Sequence, residues 1–173
     1  MNLVRQTALT LAFLATVTLV AAVHAAEVSM AGGAITFNTP ANWLPIMQTE
    51  GDTEAQVFQV PDPSPTGKTS LARVTVTVTQ VPDISSFHQF MAQATAKALA
   101  LPGYQQDKVP PVPNSNLYTA QENSTQFSYT ELYWFKHGYA IQLRCVRPSK
   151  SLAGPAWQAG FDKGCDALAA QLK

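Results

Sequence analysis

Apolar and polar positions alternate most regularly in LARVTVTVTQV. Ala72, Val74, Val76 and Val78 fall on one side, and Arg73, Thr75, Thr77 and Thr79 on the other, which is the two-residue repeat of a β-strand. A face made of threonine suits a strand near a sheet edge, or one whose face is left partly open. Upstream, Ile35 and Phe37 alternate with Thr36 and Asn38 and predict a short strand stopped by Pro40. Trp43 follows in a turn-like setting from which it can fold back on the core. AQVFQV, residues 55–60, predicts another short strand, and PDPSPTGKTS, residues 61–70, a loop. The period then changes. Phe87, Phe90, Met91, Ala94, Ala98 and Leu101 recur at spacings of three and four and predict a helix within DISSFHQFMAQATAKALA, with Ser86 and Gln89 fitting a capping box.

The proline-rich stretch 102–116 predicts a long loop crossing the end of a sheet, of a kind that often carries binding residues. LYTAQE and TQFSYTELYWFKHGYAIQLRCVRP predict a three-stranded meander, turning at Asn123-Ser124 and at Lys136-His137-Gly138. TELYWF carries large side chains on both faces, as a central strand covered on both sides would. In the strand after it Tyr139, Ile141, Leu143 and Cys145 share a face, while Gln142 and Arg144 look away. A last helix is expected from Pro155 to Leu172, with Trp157, Phe161, Cys165, Leu168 and Leu172 as its apolar stripe and with Gly160 and Gly164 permitting close approach. The expected fold class is α+β, an antiparallel sheet flanked by helices as an α/β/α sandwich, in a single domain over residues 26–173.

The first residues change the expected compartment. Arg5 is followed by an uncharged run of apolar residues and threonines from 8 to 23, and Val23-His24-Ala25 has a small-residue cleavage pattern. Residues 1–25 therefore read as a secretory signal peptide. The run is short for a bilayer span, so no stable membrane insertion is expected after cleavage. The periplasm is the expected location, with secretion, or retention at the inner membrane by an uncleaved segment, as alternatives. The whole chain has 11 basic and 11 acidic residues. Loss of Arg5 leaves the remainder close to neutral. Lysines and arginines are scattered singly, so nucleic acid is not an expected partner.

Cys145 and Cys165 are the only cysteines. Each sits on the apolar face of its element, and a disulfide tying the C-terminal helix to the last strand is the expectation for an exported chain. Two buried reduced thiols remain the alternative. A redox pair would look like C-x-x-C, and a structural zinc site wants four ligands. Glu50, Asp52 and Glu54 give a weak calcium alternative to a solvated acidic turn, without the twelve-residue loop that would support it. No other metal and no cofactor is expected. His88 could act as a general base but has no nucleophile beside it, and His137 belongs to a turn. No G-x-S-x-G, H-E-x-x-H or phosphate-binding glycine loop occurs, and catalytic residues are not expected. The aromatics gather in the meander, and Trp134, with Trp43 and Tyr104 in their loops, is the candidate recognition surface. The competing expectation is that a helix covers Trp134.

AITFNTPANW, ARVTVTVTQVPDISSFHQFMAQ, YTELYWFKHGYAIQLRC and FDKGCDALAAQL together resemble the PsbP/Mog1-like α/β/α sandwich family, including small exported proteins of the DcrB type. The resemblance implies a fold and a broad functional class, in which binding, assembly and accessory proteins outnumber enzymes and no catalytic constellation is shared. The cysteine pairing is not implied by it. The expected function is a non-catalytic exported binding or accessory protein of the bacterial cell envelope, acting on an envelope protein partner through protein–protein contact. An immunity protein neutralising an envelope-targeted toxin and a small periplasmic enzyme with an unrecognised site are the alternatives.

Overall fold

The structure is a computed structural model that describes residues 26–107 and 112–173, so the leader expected over residues 1–25 lies outside it. In chain order its elements are β1 (Ala26–Met30), β2 (Ile35–Thr39), β3 (Leu44–Thr49), β4 (Thr53–Gln59), α1 (Thr66–Thr69), β5 (Arg73–Gln80), α2 (Ile84–Leu99), β6 (Gln105–Gln106), β7 (Ser115–Glu122), β8 (Thr125–Lys136), β9 (Tyr139–Pro148) and α3 (Gly154–Leu172). Seven strands form one antiparallel sheet in the order β3-β4-β5-β9-β8-β7-β6, and β1 and β2 pair apart from it as a hairpin. The architecture is an α+β sandwich, with α3 and the hairpin on one face of the large sheet and α2 on the other.

The alternation in β5 explains its place. Val74, Val76 and Val78 are fully buried while the threonines between them are not. β5 is not an edge strand, since β4 and β9 flank it. Its threonine face is the partly open one. The meander is built as its turn residues require. Asn123 and Ser124 have φ of 46° and 66°, and His137 and Gly138 have φ of 53° and 79°. Positive φ at both central residues makes each a two-residue turn whose twist matches the strands. β8 lies between β7 and β9, and Leu132 and Trp134 face the α3 layer while Tyr133 faces α2.

Three local details depart from the sequence reading. β3, LPIMQT, falls where the sequence assigns no element, and all six of its residues are exposed with no alternation of burial. Its order comes from pairing with β4, with a bulge between Pro45 and Met47. The cap of α2 is Asp83, whose carboxylate accepts from the Ser86 N–H at 2.8 Å, so Ser86 lies in the first turn and is not the cap itself. The loop 61–70 contains the short α1 and is tied down at both sides. Asp62 accepts from the Ser64 N–H and from the hydroxyls of Ser64 and Ser151, and Trp157 Nε1 donates to the Pro61 carbonyl.

Two contacts fix α3. Cys145 and Cys165 are disulfide-bonded, with their Cα atoms 6.4 Å apart and both side chains buried. One turn along the helix from Phe161, Gly164 admits the Trp43 ring so closely that a Cβ there would lie 2.9 Å from Trp43 Cζ2. Gly160 faces open space and plays no such part. Among the described residues no helix is long and apolar enough to cross a membrane.

Replacing both cysteines by alanine should lower the unfolding free energy by about 3 kcal/mol, the chain-entropy effect of a loop of this size. Urea unfolding of the oxidised protein and of the double variant measures it, and equal midpoints would contradict a stabilising role. Gly164→Ala should destabilise by about 1–3 kcal/mol, because Trp43 is a rigid buried ring that must shift. Gly160→Ala, on the same helix and in open space, should be neutral or slightly stabilising in the same assay.

Candidate functional site

Antiparallel register places cross-strand neighbours on one face, and one row of the α2 face carries an unusual set of side chains. Asn116 in β7 pairs with Glu131 in β8, Glu131 with Arg144 in β9, and Arg144 with Thr75 in β5. Glu131 is 2% exposed, near the middle of the sheet. Tyr118 Oη donates to Glu131 Oε1 at 3.0 Å and Tyr133 Oη to Oε2 at 2.6 Å. Arg144 Nε lies 3.0 Å from Oε1, an ion-pair contact whose N–H is off line for a hydrogen bond. Arg144 Nη2 donates to Tyr118 Oη at 3.4 Å, and the guanidinium carbon stands 5.2 Å from the centre of the Tyr129 ring. Gln142 Nε2 donates to Tyr133 Oη at 3.3 Å. The cation is therefore held from several directions by the protein's own groups.

A second acid anchors the end of this face. Glu122 accepts from Arg73 and from the Tyr129 hydroxyl. Burial pushes the Glu122 carboxyl upward, but these hydrogen bonds and the Arg73 charge outweigh it and hold the group below its ordinary range. Tyr118 and Tyr129 stack with centroids 4.6 Å apart and planes 7° from parallel, and Tyr104 covers Tyr118 at 5.0 Å. The aromatic cluster is thus both packing and hydrogen-bond donor to the two acids.

α2 covers only part of this face. Phe87, Phe90, Met91 and Ala94 pack on Tyr133 and Ala140, and Ala98 on the tyrosine cluster. The helix leaves the β4–β5 side open. Between its flank and the sheet runs a groove of about 370 Å³, floored by Thr77, Thr79, Gln142 and Arg144 and walled by Gln93 and Lys97. Beyond the groove the uncovered half-sheet ends at β3, where Leu44 is 49%, Ile46 45% and Met47 53% exposed. Leu44 and Met47 pair with Gln59 and Val57, which puts both on the same face as the threonines.

The residues singled out as a recognition surface are not brought together. Trp43 is buried, against Phe58 and Gly164 in the α3 layer, so its ring is core wall and not free surface. Trp134 is half-buried on the same side, beside Ala169, Ala170 and Lys173 at the end of α3, which therefore covers part of it. Tyr104 is half-buried on the opposite side of the sheet. Residues 108–111 of the loop 102–116 lie outside the described residues. The acidic turn does not assemble a cation site. Glu54 accepts from the Ala31 N–H and Glu50 from Gln48, and among the described residues no group of three or more His, Cys, Asp or Glu is placed to hold a metal ion. His88 is exposed on α2 beside Phe87, and His137 occupies its turn. Arg144 falls on a strand side that reads as polar in the sequence, which gives no sign of the cover above it. The available signal for Glu131 is an acid in the alternating aromatic row Phe127, Tyr129, Tyr133 and Phe135 of β8, which demands a donor set if that face is buried.

Burial, and then the charge of Glu131, push the Tyr118 and Tyr133 phenols well above their usual 10.0. Burial and the hydrogen bond to Glu122 do the same for Tyr129. A raised phenol pKa favours the neutral form in the folded state. Its stabilising contribution is complete below about pH 10 and is lost as pH rises through the folded-state values. In an alkaline absorbance titration, three of the five tyrosines should ionise late and together with loss of near-ultraviolet dichroism. Reversible ionisation of all five near pH 10 with the fold intact would contradict this assignment.

No protein-family model matches the chain, and no curated protein matches it.

Proposed function

We propose that this chain is a non-catalytic, exported binding protein of the bacterial cell envelope, PsbP/Mog1-like in kind, which acts by contact with another protein through β3 and the open half-sheet beside it. The observation that carries this is the row Leu44, Ile46 and Met47, about half exposed on an edge strand. An edge strand offers unpaired N–H and C=O groups, and apolar side chains beside it supply the area that a partner would bury. The partner is an envelope protein that presents an extended segment with apolar side chains. Pro45, which has no N–H to donate, and the bulge at Pro45–Met47 interrupt backbone pairing along this edge for any added strand, so the apolar side chains carry most of the contact.

Export is supported by the leader pattern of residues 1–25 and by the disulfide, which suits an oxidising compartment. A binding role in preference to catalysis is supported by the state of the most buried acid. Glu131 accepts from Tyr118 and Tyr133 and ion-pairs with Arg144, so its oxygens are engaged in holding the sheet together.

A photo-crosslinking residue placed at Met47 of the exported chain, in cells that make it naturally, tests the surface. One discrete adduct with a different protein is expected, lost in a Leu44→Asp background and missing when the probe sits at Ala159 on α3. The same products from both positions would sink the assignment, as would an adduct with a second copy of the chain alone.

A further inference from the structure

We propose that the groove beneath α2 is a binding site for a small organic oxyanion, a carboxylate or a phosphate, gripped between Arg144 and Lys97. This site is separate from the protein contact at β3 and does not depend on it.

Arg144 supplies the directional half of the grip. Its Nε edge turns to Glu131 and one Nη2 hydrogen to Tyr118, and among the described residues Nη1 has no acceptor. A guanidinium with free N–H groups matches the paired oxygens of a carboxylate or phosphate, and charge-assisted bonds of this kind are the stronger ones. The Tyr129 ring and the Glu131 carboxylate fix the plane of the group, so little side-chain freedom is lost on binding. Glu131 offsets one positive charge. Lys97, on the opposite wall and in no ion pair among the described residues, restores a net positive groove.

The rest of the cavity describes the rest of the ligand. Phe90 and Ala94 make an apolar stretch of wall, and Thr77 and Gln93 place a hydroxyl and an amide beyond it. A volume of about 370 Å³ lies at the low end for small-molecule sites. The fit is to a short apolar skeleton with the anionic group at one end.

The probes are hexanoate and inorganic phosphate, with hexanamide as the uncharged match to hexanoate, titrated into the folded chain while backbone amide resonances are followed. Saturable shifts centred on Thr77, Lys97, Gln142 and Arg144 are expected from at least one anion and not from hexanamide. Response to hexanoate alone identifies a carboxylate, and response to phosphate alone a phosphate. Lys97 is a surface residue, so Lys97→Gln should fold normally and weaken binding roughly tenfold, the loss of one charge-assisted contact. Thr77→Val should weaken it less. Arg144→Lys keeps a charge beside Glu131 but removes the planar fork, and should reduce affinity further than Lys97→Gln. No saturable response to either anion, an equal response to hexanamide, or unchanged affinity in Lys97→Gln would each overturn the proposal.

Discussion

A carboxylate buried under a helix near the middle of a sheet must find its hydrogen bonds inside the protein, and Glu131 finds them from Tyr133 on its own strand and Tyr118 on the next. An unpaired charge there would destabilise the fold by several kcal/mol. The requirement propagates outward. Tyr118 must stand one row away on β7, and Tyr133 two residues along β8. Arg144 must be directly opposite on β9, which fixes the register of three strands around one acid. A slip by one residue would move Glu131 to the α3 face, among aliphatic side chains with nothing to donate. The polar cluster therefore selects one register, and the aromatic rings that serve it also supply much of the surface on which the end of α2 rests.

The two layers of the sandwich are fastened differently. On the α3 side, valines of β5, aliphatics of β9 and the stripe of α3 form one continuous core, closed by a disulfide and by the Trp43 ring against Gly164. On the α2 side the core is split into two smaller clusters, with the Glu131 and Arg144 pair close by. Close packing with a covalent tie makes the first layer a rigid base. The second layer has polar groups within it and an open flank, along which the groove lined by Thr77, Gln93 and Lys97 runs.

What the sequence disclosed follows the strength of each local signal. β5, α2, the meander and α3 carry periodicities that survive in the fold, and the faces of Cys145 and Cys165 were readable because burial is continuous along both elements. β3 left no such trace, since an edge strand exposed along its whole length has no buried side to alternate with. Arg144 and Gln142 were legible as the polar side of their strand, but not as covered. Whether a helix lies over a polar face depends on where α2 lands, and that is settled by contacts distant in sequence. Trp43 reads both ways in the sequence, as a ring that can fold back on the core and as a loop residue open to a partner, and the glycine more than a hundred residues later that makes room for it in the core is what decides between them.

The width of the sheet explains why an open half exists at all. Strands stand about 4.8 Å apart and a helix with its side chains is about 10 Å across, so one helix covers about two strands. On the α3 side the β1–β2 hairpin extends the cover that one helix gives. On the other side α2 has no such companion among the described residues and sits over β8 and β9. The residues on the uncovered strands suit that position. Thr75, Thr77 and Thr79 are half-buried and give β-branched carbons to the strand, and the Thr79 hydroxyl bonds to that of Thr53 across the pair, so β5 keeps its place in the sheet without a helix above it. Leu44, Ile46 and Met47 do not fit that logic, because their side chains gain nothing from water. Their exposure beside a tolerant threonine face is the observation on which the proposed protein contact rests.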